Sequence, residues 1–265
     1  MRLEQAASPI VRAWRGLPAM RWLASLALFI ALWQFVVWAF GIPTYLLPSP
    51  METVGAILDD GRLLLAHIGT TIVETLSGLG IALGMGISLA LAMHRSRLLR
   101  DLLYPHLVLS QAVPLIAIAP MILIWFGLGV TAKILVVAFV CFFPITVNSY
   151  EGFHAVDPAY AELLDTLGAS WLDRYRHLYV PATLPGIVSG MKIAATYSVL
   201  GAVVGEWLGG SAGIGVYMTR SLQSFRTERL FGAIVIVMAL SFTLFKIVDV
   251  GGYLLTPWLQ RRSHE

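Results

Sequence analysis

Six long apolar runs alternate with short polar segments along the chain, at 22–40 and roughly 68–93, 102–126, 131–150, 186–209 and 230–255. An α-helix needs about 20 residues to cross a hydrocarbon core of about 30 Å, so each run predicts a transmembrane helix. The run from Trp22 to Phe40 is interrupted only by Ser25 and Gln34. A cleaved signal peptide would carry an apolar region of only about 7–15 residues, so this run reads as a retained anchor. The pattern predicts an all-α polytopic helix bundle of about six transmembrane helices.

Composition agrees, because 58% of the residues are hydrophobic and only 12% charged, with a mean hydropathy of +0.78. Cytoplasmic segments keep an excess of Lys and Arg. With the N-terminus inside, the inner segments hold eleven of the eighteen cationic side chains and the outer ones five, Lys133 among them, while Lys192 and Lys246 fall within spans. Both termini are therefore expected in the cytoplasm. The expected division is a cytoplasmic N-terminal segment at 1–20, a first transmembrane helix at 21–40, a membrane domain at 64–255 with a cytoplasmic loop at 151–185, and a cytoplasmic tail at 256–265. This asymmetry accounts for the pI of about 9.1 without nucleic acid. The lone Cys141 excludes an intramolecular disulfide. There is no soluble domain and no internal repeat of the kind that marks inverted halves.

Between the first two runs, Pro43, Pro48 and Pro50 discourage helix, and the apolar spacing that follows predicts a short interfacial helix. Gly80, Gly84 and Ser88 recur four apart, which predicts a face for close helix contact. The "GLGIALG" containing them is not a dinucleotide loop, which requires a preceding strand and a soluble helix after it.

The polar stretch "DPAYAELLDTLGASWLDRYRHLYVPATLP" at 157–185 carries unusually complete helix punctuation. Asp157 caps, and Pro158 at the first helical position sacrifices no needed donor. Tyr160, Leu163, Leu164 and Leu167 recur at i, i+3, i+4 and i+7, with Glu162, Asp165 and Thr166 on the other face. Gly168 follows where a left-handed residue closes a helix. Ser170 and Asp173 form a capping box for a second helix, which Pro181 and Pro185 are expected to end. Capping alone is equally consistent with a plain connecting hairpin.

The spacing goes further. Glu162 is followed six residues later by Gly168, then by Leu178, Val180 and Pro181, and this resembles the cytoplasmic loop signature of the permease subunits of bacterial ABC importers. "ELL" replaces the family's Glu-Ala-Ala, and Leu178 and Val180 replace Ile and Leu. The resemblance extends over roughly 44–255, including "LPSP", "VPLIAIAPMILIWFGLG" and "GEWLGGSAGIGVYM". It is closest to the nitrate, sulfonate and taurine group, with a lean to the branch for pyrimidine precursors of thiamine. It implies a type I importer permease fold in a bacterial inner membrane, surrounded by lipid. It also implies a cytoplasmic ATP-binding subunit in two copies, an extracytoplasmic solute-binding protein, and a second permease copy forming a homodimer. The first loop helix, from Tyr160 to Leu167, would sit in a groove of the ATPase, with Glu162 at that contact and Gly168 setting the angle between the helices.

Ionisable residues within spans mark pathways or pairs. Lys246 and Asp249 are three apart and read as a local pair, and Lys192 as snorkelling. Glu206 stands beside Trp207 before the glycine-rich "GGSAGIG", either on a substrate pathway or at a solvated helix end. Glu74 is placed at comparable depth. Two carboxylates with aromatics near a pathway would suit a solute with hydrogen-bond donors or positive charge, which favours an aminopyrimidine over a sulfonate or nitrate. The absence of GxxxxGK[ST] assigns ATP hydrolysis to a partner, and no metal motif or cofactor is called for. The alternatives are a stand-alone ion-coupled secondary transporter using Glu74 and Glu206 as proton sites, and an intramembrane enzyme. The latter has no nucleophile with an evident base.

Overall fold

The computed structural model describes residues 18–258, and every regular element among them is helical. In chain order these are α1 (Pro18–Phe40), α2 (Pro50–Asp59), α3 (Gly61–Arg95), α4 (Arg97–Ser110), α5 (Leu115–Phe126), α6 (Val130–His154), α7 (Pro158–Thr166) and α8 (Trp171–Arg174). A π-helical turn follows at Tyr175–Tyr179, then α9 (Val180–Gly209), α10 (Ile214–Gln223) and α11 (Thr227–Leu255). Five helices are long and apolar enough to cross a membrane, or six if the bent pair α4 and α5 counts as one span. Of the expected first and last segments, 1–20 and 256–265, residues 1–17 and 259–265 lie outside the described residues.

One compact unit comprises residues 18–60 with 221–232. Pro43 and Pro48 lie in non-helical backbone, whereas Pro50 does not oppose helix but opens α2, which a reciprocal capping box starts: Ser49 Oγ accepts from the Glu52 amide, and the Glu52 carboxylate accepts from the Ser49 amide. Thr227 Oγ1 donates to the Tyr45 carbonyl at 2.8 Å, and Arg229 pairs with Asp60 at 3.0 Å. The rings of Trp33 and Phe231 lie 5.8 Å apart.

The second unit comprises residues 61–220 with 233–258. Its interior is where α3, α6 and α9 meet, around Leu79, Ala82, Val137, Cys141, Ile145 and Ala194. Small residues let the backbones approach: a Cβ at Gly190 would lie 2.6 Å from the Pro144 carbonyl oxygen. On α3 the buried small stripe is Gly78, Ala82, Gly86 and Ala90, not Gly80, Gly84 and Ser88. A Cβ at Gly80 or Gly84 would meet nothing within 4 Å. Both stripes have the same four-residue spacing, so the sequence pattern does not choose between them.

Two expected boundaries are corrected. The run 102–126 is not one straight helix, because α4 and α5 meet at 106° across Gln111–Pro114. Pro114 disfavours helical backbone at Val113 and takes an extended conformation itself (φ −61°, ψ 130°). Conversely, Pro181 and Pro185 do not end the second loop helix, which continues from Trp171 to Gly209. The π turn at Tyr175–Tyr179 shifts the hydrogen-bond register just before Pro181, so the missing proline N–H is absorbed without a break.

Candidate functional site

The loop after α6 folds as a closed helical hairpin. Asp157 Oδ1 accepts from the Ala159 amide at 2.9 Å, and Pro158 opens α7. At the other end the Ala169 amide donates to the Leu164 carbonyl and the Gly168 amide to the Asp165 carbonyl, each at 3.0 Å. This pair of bonds is a Schellman closure, with Gly168 at φ +75° in its left-handed position. Ser170 Oγ then accepts from the Asp173 amide, and the Asp173 carboxylate accepts from the Ser170 amide, starting α8. Arg174 bridges back to Asp165 at 2.6 Å, tying the second helix to the first.

α7 buries none of its residues within the chain. Tyr160, Leu163 and Leu167 are 59%, 55% and 72% exposed, while Leu164 is half-buried and Glu162 exposed. The hairpin thus leaves the apolar face of α7 uncovered by the rest of the chain. Beneath it, His94 stacks on Phe153 with centroids 4.9 Å apart and meets Tyr179 edge-on at 4.8 Å. The Arg95 guanidinium lies 5.5 Å from the Trp171 ring centroid. Through these contacts α3 and α6 grip the junction of α8 and α9.

A second cluster lies at the other end of α9. Glu206 and Glu74 come together as their matched depth suggested, but both are fully buried. Glu206 Oε1 accepts from Thr71 Oγ1 and Oε2 from the Gly215 amide, each at 2.6 Å. Thr71 Oγ1 in turn accepts from the Ile214 amide at 2.9 Å, and His67 Nδ1 accepts from the Gly213 amide at 3.0 Å. Gly213 has φ +118°, and a Cβ there would collide with the Glu206 carboxyl group. These bonds hold the glycine-rich turn onto α3. Glu74 Oε1 accepts from Lys133 Nζ at 3.1 Å. Lys133 is therefore not an outer-loop cation but a buried member of α6, 3% exposed. Trp207 is half-exposed beside this cluster. His67, Thr71 and Lys133 were missed, since their partners lie 59 to 146 residues away in sequence.

Near the C-terminal end of α11, Asp249 takes Lys192 at 2.5 Å as well as Lys246 at 3.4 Å, so Lys192 joins α9 to α11 instead of snorkelling. Among the described residues no group of three or more His, Cys, Asp or Glu side chains could hold a metal ion.

Residues 82–261 match the family described as "Binding-protein-dependent transport system inner membrane component". The chain is 35% identical to the formylaminopyrimidine transport permease protein ThiX of Halalkalibacterium halodurans, over 89% of this chain and 94% of that protein. It is 32% identical to the riboflavin transport system permease protein RibX of Chloroflexus aurantiacus, over 95% of both. The putative aliphatic sulfonates transport permease protein SsuC of Bacillus subtilis is 28% identical, over 88% of this chain and 87% of that one. Among solved structures, an amino acid ABC transporter is similar in fold with a TM-score of 0.60 at 20% identity, covering 76% of this chain and 96% of that one.

Proposed function

From the premise that the chain belongs to the family of binding-protein-dependent transport system inner membrane components, and is a multi-pass permease subunit of an ATP-driven importer, we propose that its hairpin at 151–185 is the element that couples it to the ATPase. The outward apolar face of α7 carries this reading. Tyr160, Leu163, Leu164 and Leu167 supply apolar contact, Glu162 a polar one, and Gly168 the angle between the helices.

Coupling needs rigidity as well as contact. The Schellman closure and the Arg174–Asp165 bridge make α7 and α8 move as a unit. Helix runs on without a break from Trp171 to Gly209, 39 residues, which at 1.5 Å per residue is about 58 Å of rod. Pro181 lies in the first turn of α9, next to the π turn where the rod meets the hairpin. A displacement of the hairpin by ATP-driven closure is thereby delivered to α9 and to α3 and α6 packed on it. The far end of the rod is Glu206, whose bonds to the glycine-rich turn carry the same movement to the outer side.

The partners are an ATP-binding subunit and a solute-binding protein. Their proposed arrangement is two ATPase copies on two copies of this chain, with both termini on the ATPase side of a bacterial inner membrane. The proposed cargo is a small polar solute of pyrimidine type, supported by relatives named for formylaminopyrimidine and riboflavin at 35% and 32% identity, against 28% for a sulfonate permease. Glu74, Glu206 and Trp207 are assigned to holding the outer turn beside the solute's route rather than to touching the solute.

The test is co-purification with the ATPase from membranes. Wild type should retain it, and Leu163→Asp with Leu167→Asp should lose it while still inserting. Retention by the double variant would refute docking through α7.

A further inference from the structure

We infer that the cavity beside the bend between α4 and α5 is a solute site for an uncharged, planar heteroaromatic ring, an inference that rests on the importer reading above. The cavity measures about 520 Å³, within the roughly 300–1,000 Å³ usual for small-molecule pockets. It lies entirely within the second compact unit, between the bend, α6 and α9.

Its walls offer ring faces and a few polar groups. Phe139 and Phe143 on α6 and Tyr197 on α9 line it, and aromatic side chains bind flat rings by offset or edge contact. Asn148 reaches it from α6; one amide N–H donates to the Pro144 carbonyl at 2.8 Å, leaving its carbonyl oxygen and second N–H. Pro144 has no N–H, so the Val140 carbonyl, on the same wall, lacks its usual helical donor. The bend itself contributes the Gln111 side-chain amide and the Leu115 N–H in the first turn of α5.

The backbone supports the same conclusion. Irregular backbone at membrane depth is tolerated only where protein buries it or where it lines a wet cavity. Gln111, Ala112 and Val113 are exposed within this chain, and the cavity opens beside them. Donors and acceptors are thus both present around an aromatic slot. None of the described lining residues carries an ammonium, guanidinium or carboxylate group. Desolvating a full charge there would be unfavourable, so the walls fit a neutral aminopyrimidine and disfavour a sulfonate.

The experiment uses the full complex in proteoliposomes, with a radiolabelled formylaminopyrimidine as the probe and taurine, a zwitterion bearing a full sulfonate charge, as the competitor. Wild type should take up the pyrimidine in the presence of ATP, without inhibition by taurine. Asn148→Leu should raise the KM about tenfold, the effect of losing one or two hydrogen bonds, while the complex still co-purifies. Gln111→Leu, at an exposed position, should shift KM in the same direction. Unchanged KM in both variants, or uptake of taurine in place of the pyrimidine, would overturn the site while leaving the importer reading intact. Absence of ATP-dependent uptake of every solute by wild type would overturn that reading, and the site with it.

Discussion

Replacing Lys133 by Met removes the cation of a buried ion pair while keeping a side chain of similar length. The ammonium is 3.1 Å from Glu74 Oε1, with the two side chains 3% and 0% exposed. At an effective dielectric constant of about 20, this separation corresponds to roughly 5 kcal/mol of attraction, before the opposing desolvation is counted. Removing one partner strands the other carboxylate in the interior, which costs about 3–5 kcal/mol. Replacing both by apolar residues removes the stranded charge, and such pairs are often neutral in stability. Glu74→Met with Lys133→Met should therefore be more stable than Lys133→Met alone by at least about 2 kcal/mol. The assay is reversible denaturant unfolding of the detergent-purified chain followed by tryptophan fluorescence, analysed as a double-mutant cycle. A Lys133→Met loss below about 1 kcal/mol, or strictly additive effects, would refute the view that the pair is a buried structural clasp.

Three further outcomes follow from local geometry. Gly168 sits at φ +75° with open space where a Cβ would go, so its requirement is purely conformational. Gly168→Val should lower solute-stimulated ATP hydrolysis and uptake together, whereas Gly168→Asn, which tolerates this backbone, should retain most of both. Hydrogen bonds from Thr44 and from the Ser49 amide hold the Glu52 carboxyl below its ordinary range. A carboxylate depressed on folding stabilises above its unfolded pKa and loses that contribution as pH falls through the folded value. Amide protection at the start of α2, relative to unstructured amides at the same pH, should therefore fall below about pH 4, and in Glu52→Gln this acid step should disappear. Reporter fusions after Pro50 and after Ser170 should report opposite sides of the membrane, and a shared side would refute the proposed orientation.

Local chemistry is what the sequence displays best. Asp157 with Pro158, Gly168, and Ser170 with Asp173 each act within a few residues, and each does in the structure what its type and spacing predict. Apolar length likewise revealed the membrane helices. Proline was a poorer guide, because its effect depends on neighbours: Pro105 and Pro120 lie inside helices, Pro181 is absorbed by a π turn, and Pro114 alone marks the sharp bend. Pairings across the bundle were hidden for a different reason. Nothing near Lys133 announces Glu74, and nothing near Glu206 announces Thr71, because those contacts are created when α3, α6 and α9 assemble. The cavity near Asn148 is equally nonlocal, requiring the bend, two aromatic residues of α6 and Tyr197 of α9.

The most direct measurement is solute uptake into proteoliposomes containing this chain with or without its ATPase, in the presence of the solute-binding protein. The account predicts uptake only when the ATPase and hydrolysable ATP are both present, with no response to an imposed proton or sodium gradient. Gradient-driven uptake by the chain alone would contradict it and favour a secondary transporter.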